Sequence, residues 1–317
     1  LKLSEIYEFA VKKGIEQDPR GEKAIGKILS RVKKDYEELK PADKQDFDKE
    51  ALVNPYADTR ILNGDPNKNI KSLLVGIDME VGEVLLADRM KEIGKPVDLV
   101  VAHHPEGKAL AGFYKVMQMQ SDIAAQIGVP ISIAESLIDE RMKEVERRVH
   151  PANHTRAVDA AKILGLPFIC IHTPADNHVT TYLQKLVDKE KPELISDLVK
   201  LLKDIPEYKE ASSRNAGPKI VIGSPNLHAG KIMVDMTGGT EGSKDIFKEL
   251  TKAGISTIVC MHLSDEHIKK AREEHVNVVV AGHIASDTLG LNLLFDQLLK
   301  KEKLEIYGCS GFVRVVR

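Results

Sequence analysis

Histidine placement carries most of the chemical information in this sequence of 317 residues. His103 and His104 directly follow the apolar run PVDLVVA. His172 and Asp176 follow PFICI, His262 follows STIVCM, His283 follows VNVVVA and Asp78 follows SLLVGI. Each run reads as a buried strand, so at least four strand ends deliver imidazole or carboxylate to one edge. Ligand crevices in open α/β sheets lie beyond the carboxyl ends of the strands. Taken singly, each group has a plainer reading as a loop contact or a satisfied polar residue. His283 and Asp287 are four apart, which puts both on one face if a helix starts there. Imidazole mixed with carboxylate suits Zn, Mn, Fe, Co or Ni better than Ca or Mg alone. Five such ligands exceed one tetrahedral site, which points to two divalent metal ions bridged by a carboxylate or hydroxide.

The elements that must position these groups follow from the hydrophobic pattern. Residues 1–52 are charged and helix-forming, and Asn54 to Asn69 reads as a loop. From Lys71 the pattern alternates short strands with helices. Strands are expected at 72–77, 96–102, 130–133 and 167–171, and helices at 82–92, 109–127, 135–149, 155–164 and 180–188. A helix over 195–203 offers an apolar face for subunit contacts. A second block starts near Lys219, with strands at 219–222, 232–235, 256–261 and 276–281 and β character from Glu305 onward. The fold class is α/β. The expected division is a helical N-terminal extension and loop (1–70), a first α/β lobe (71–182), a helical connector (183–218) and a second α/β lobe (219–317). The metal site would lie between the lobes.

Composition removes several function classes. Lys plus Arg is 46 against 48 Asp plus Glu, so nothing in the net charge favours nucleic acid or an anionic membrane. Aromatics are 4% with no Trp, which argues against base-stacking platforms. Three dispersed cysteines exclude a disulfide scaffold and fit a cytoplasmic location. No apolar run approaches the ~20 residues of a membrane span.

The segments LLVGID (73–78), DLVVAHHP (98–105), HTPAD (172–176) and LSDEHIKKAREEHVNVVVAGHIASD (263–287) occur in the order found in one family. Over residues 58–317 the chain resembles the Nif-three-like family, also described as GTP cyclohydrolase 1 type 2-like or dinuclear metal-centre hexameric proteins. ADTRILNGDP (57–66) loosely matches that family's early loop. The resemblance implies two α/β lobes around a dinuclear metal cleft and a homo-oligomer, in particular a hexamer. It implies metal ligands His103, His104, Asp176, His283 and Asp287. The family's usual residue at 287 is Glu, and the shorter Asp bears on the metal spacing. His172 and His178, flanking Asp176, are expected to support it from behind. Asp78, His262, Gly238 and Gly239 are further supporting or substrate-contacting candidates.

Two other features stand out. Residues 134–165, with His150 and His154, form a longer segment than the family carries and read as a helix cap or a lid. The glycine-rich turn Gly238 to Ser243 lacks Walker and Rossmann spacing and reads as an anion cradle or a tight turn. Paired metals acidify a water and polarise a substrate oxygen, so the expected activity is metal-dependent hydrolysis. No side chain is assigned as catalytic; the metal-bound water carries that role. The substrate would be a nucleotide, phosphoester or cyclic amide, with GTP cyclohydrolase chemistry implied by resemblance alone. A non-catalytic metal-binding scaffold or metal-handling protein is the alternative. A DHH-type phosphoesterase is excluded because Ala102 precedes the His-His pair.

Overall fold

The computed structural model describes all 317 residues, a mixed α/β fold with two sheets. The strands are β1 (Arg60–Asn63), β2 (Ser72–Gly76), β3 (Leu99–Ala102), β4 (Phe168–Cys170), β5 (Lys219–Ile222), β6 (Lys231–Asp235), β7 (Ile255–Cys260), β8 (Asn277–Val280) and β9 (Glu305–Gly308). The first sheet has the order β1-β4-β3-β2-β9 and the second β5-β8-β7-β6. In both, three consecutive strands run parallel and the preceding strand pairs antiparallel at the edge. The interior strands β2, β3 and β4 are buried throughout, which is why they read as unbroken apolar runs without alternation.

Two long helices lie between the sheets. The helix Thr173–Glu190 follows β4 of the first sheet, and His283–Leu298 follows β8 of the second. Each packs against the opposite sheet. Leu291, Leu294 and Phe295 join the core of Leu73, Val75, Val101 and Ile169. Val179, Leu183 and Val187 join that of Val234, Val259 and Val279. The helices touch at Gly290, where a Cβ would sit 2.4 Å from the Ala175 carbonyl oxygen. Burying these faces is the main favourable contribution, at about 25 cal/mol per Å² of apolar surface removed from water.

Several expectations change. The helix Leu3–Glu16 is not an outlying extension: Leu3, Ile6, Phe9 and Ala10 form an i, i+3, i+4 stripe inside the first core. β9 pairs with β2, so residues 305–308 complete the first sheet although they end the second block. The strand expected at 130–133 is the start of the helix Ile131–Val149, with Pro130 at its N-cap. The helix expected over 109–127 is three short pieces, 107–112, 113–118 and 119–126. The helix expected at 180–188 begins seven residues earlier, at Thr173, with Pro174 in its first turn where a missing N–H costs nothing. Ile195, Leu198 and Leu202 are buried within the chain, so that face is not free for subunit contacts. No helix is long and apolar enough to cross a membrane.

Candidate metal centre

The first turns of the two central helices carry the same pair at the same spacing. His172 is the N-cap of the Thr173 helix, with Asp176 four residues on; His283 opens its helix, with Asp287 four residues on. Gly282 before His283 has φ 113°, and a Cβ there would lie 2.4 Å from the Ala216 carbonyl oxygen. Only glycine lets the chain turn from β8 into that helix. His103 and His104 arrive from the end of β3, between the two helix starts.

Hydrogen bonds at the outer nitrogens orient the rings. His103 Nδ1 donates to the Ile171 carbonyl oxygen at 3.0 Å. His104 Nδ1 donates to Asp78 Oδ1 at 2.7 Å. His172 Nδ1 donates to Asp58 Oδ2 at 2.8 Å. Each contact fixes the tautomer and leaves Nε2 as the lone-pair nitrogen turned inward, as metal-binding imidazoles require.

The inward atoms converge. Asp287 Oδ1 lies 3.3 Å from His103 Nε2, and Asp287 Oδ2 lies 3.4 Å from His104 Nε2 and 3.5 Å from His283 Nε2. His104 Nε2 and His283 Nε2 are 3.3 Å apart. On the other side, Asp176 Oδ1 is 3.3 Å from His103 Nε2 and Asp176 Oδ2 is 3.7 Å from His172 Nε2. A tetrahedral ion with bonds of ~2.1 Å spaces its donors by about 3.4 Å. The triangle of His104, His283 and Asp287 Oδ2 therefore has the dimensions of three corners of such a site. His103, His172 and Asp176, and likewise His103, His104 and Asp287, form compact groups that could hold a metal ion.

Four buried atoms here have no hydrogen-bond partner: His103 Nε2, Asp176 Oδ1 and both oxygens of Asp287. Unpaired buried carboxylate oxygens are costly unless a cation or donor meets them. Electrostatics agree. Burial works to lower the His103 pKa, but Asp287 and Asp176 raise it well above the ordinary value. Burial would raise that of Asp287, yet His103, His104 and His283 hold it far below the usual carboxylate range. The pocket favours positive charge at its centre. The donor set fits a divalent ion.

No protein-family model and no curated protein matches the sequence. Solved structures do. A NIF3 superfamily protein from Sphaerobacter thermophilus is 27% identical, with a TM-score of 0.69 over 81% of this chain and 92% of that one. These similarities support a Nif3-like family assignment for the chain. Reduced HcgD from Methanocaldococcus jannaschii shares the fold at 17% identity, with a TM-score of 0.50 over 78% of this chain and 87% of that one.

The structure brings His103, His104, Asp176, His283 and Asp287 together, and Asp78 behind His104. It also places His172 among the inward-facing donors, where the sequence assigned it only a supporting part. His178 is a correction. Two residues from Asp176 on the same helix, it points away. Its Nδ1 donates to the Pro174 carbonyl oxygen, Gln297 donates to its Nε2, and burial pushes its pKa down to about 4. Gly238 is packed against Gln120, which donates to the Gly238 and Thr240 carbonyl oxygens, whereas Gly239 lines the same cavity as His172, Asp176, His283 and Asp287. The next helix begins at Ile246. His150 caps the C-terminus of its helix, and His154 Nε2 donates to the Val149 carbonyl oxygen, as the cap reading expected.

Two residues escaped the sequence reading. Asp58 holds His172 and accepts a hydrogen bond from Thr173, and Glu241 holds His262 at 3.2 Å. His262 stacks beside His283, ring centres 4.7 Å apart. The Glu241 contact raises the His262 pKa against the opposing effect of burial. His172, Asp176, His283 and Asp287 line one cavity, whose other walls are largely apolar and include Ile123, Leu137, Ile138, Met233, Phe247 and Ile258.

Proposed function

We propose that the chain is a metal-dependent hydrolase with two divalent ions, acting on a nucleotide, phosphoester or cyclic amide. The observation that carries this reading is the set of buried, unpartnered donors spaced for ligation around Asp287. His104, His283 and Asp287 Oδ2 would hold one ion. His103, His172, Asp176 and Asp287 Oδ1 would hold the other. Bound ions supply Lewis acidity, which polarises a substrate oxygen and acidifies water.

The chain's own residues do the rest. Asp58, Asp78 and the Ile171 carbonyl lock three imidazoles in the ligating tautomer. The apolar walls exclude bulk water and strengthen every charge contact at the site. His262 donates its Nδ1–H to Glu241 and turns Nε2 toward His283. The Glu241 hydrogen bond raises its pKa against burial, which favours a second proton at Nε2 that it could donate to a leaving group. Leu137 and Ile138 bring the helix Ile131–Val149 over the cavity as a wall or lid. In this reading the two sheets, the first completed by β1 and β9, form two lobes, and the protein works as a cytoplasmic homo-oligomer.

Metal analysis of purified protein, followed by a screen of nucleotides and phosphoesters with added Zn, Mn or Fe, tests this. Turnover that disappears in His104→Ala is expected. Full metal occupancy with no turnover on any class would replace the hydrolase with a metal-binding scaffold.

A further inference from the structure

Asp235, at the end of β6, is the one carboxylate of the cavity wall that serves no other group. Asp176 and Asp287 belong to the donor cluster. Glu241 is committed to His262, to the Ser264 backbone N–H at 2.6 Å and to His267 at 3.4 Å. The Asp235 side chain makes no hydrogen bond and no ion pair. It is exposed, and it lines the cavity with Thr237, Met236 and Cys260. Such a carboxylate keeps its accessible oxygens and is free to accept from a ligand donor in the cavity.

We propose that Asp235 recognises an N–H-donor group of the ligand: an amine, an amidine or an amino-substituted nitrogen heterocycle. Two carboxylate oxygens can accept two parallel N–H donors, a planar geometry that selects amidine-like edges. The apolar walls at Ile123, Leu137, Met233 and Phe247 accommodate the body of the ligand. Anionic groups are turned away from this wall by the like charge of Asp235 and Glu241, so a phosphate or carboxylate would have to face the histidines. Burial, then Glu241, pushes the Asp235 carboxyl up to about 6 against His262, so a bound donor relieves an existing tension. The inference rests on the cavity being the ligand site of the function proposed above, and not on metal being bound.

Benzamidine, benzoate and benzyl alcohol share one apolar ring and differ in the polar edge. Calorimetric titration of metal-free and zinc-loaded protein with each tests the proposal. Wild type should bind benzamidine at least tenfold more tightly than the other two. Asp235→Asn, with equal volume, should lose at least tenfold for benzamidine alone. Asp235→Ser is a second variant should the first fail to fold, and the preference of wild type needs no variant. Equal affinity for the three probes, or benzamidine binding unchanged in both variants, overturns the assignment. Metal content of the same samples is read separately: benzamidine selectivity without any metal uptake overturns the metal reading and leaves this one standing.

Discussion

His103 Nε2 and Asp287 Oδ1 face each other at 3.3 Å, both buried and neither with a hydrogen-bond partner. The proton that would pair them is the competitor of a metal ion. Asp287 and Asp176, overcoming burial, raise the His103 pKa, which favours a proton there in metal-free protein. Metal uptake must then release it, and affinity should rise about tenfold per pH unit for each proton released while pH stays below that pKa. Titration calorimetry in buffers of different ionisation enthalpy measures the release. Zero protons released at pH 7 would contradict the assignment of His103.

The carboxylates behind the rings should matter although they touch no ion. Asp78→Ala and Asp58→Ala each free one imidazole to rotate or change tautomer. Loss of such a partner typically costs about 10–100-fold in metal affinity. Competition against a chelator reads the change. Affinity within twofold of wild type in both variants would mean that packing alone orients His104 and His172.

The crossing of the two central helices sets the distance between the two His-x-x-x-Asp pairs. Gly290→Ala would push a methyl group into the Ala175 carbonyl oxygen. Overpacking of this kind costs about 1–3 kcal/mol and spreads the helices. A lower urea midpoint together with weaker metal binding is expected. An unchanged midpoint would show that the crossing yields at no cost.

His178 gives a pH signature free of the metal centre. Burial holds its pKa near 4, below the usual value for histidine. The unfolded chain takes up a proton below about pH 6.5 that the folded chain refuses. The stability that His178 contributes is therefore complete above pH 6.5 and is lost as pH falls toward 4. Between pH 7 and pH 5 wild type should lose about 2 kcal/mol more than His178→Gln. Urea unfolding at the two pH values measures this, and equal losses would exclude it.

The strand runs were legible because buried parallel strands carry continuous apolar residues, and β3, β7 and β8 lie where the apolar runs of the sequence put them, within a few residues. The His283–Asp287 relation was legible because helical spacing alone brings the pair together. The Thr173 helix was placed seven residues late because Thr173, Pro174 and Ala175 give no periodic signal, which hid the match between His172–Asp176 and His283–Asp287. Asp58 stayed hidden because its partner is 114 residues away. Asp235 looked like an ordinary exposed strand residue, since its place on the cavity wall depends on elements distant in the sequence. The burial of Leu3 and Ile6 depends on where the N-terminal helix docks, which local patterning does not encode.

The central claim is that Asp287 joins two cation positions. Equilibrium dialysis of metal-stripped protein against Zn, Mn or Fe, with metal counted per chain, tests it most directly. Wild type and His178→Gln should take up two ions, and Asp287→Asn at most one, at affinity reduced about 10–100-fold or more. Two ions at wild-type affinity in Asp287→Asn would contradict the account and leave Asp287 a buried helix residue with no part in metal binding.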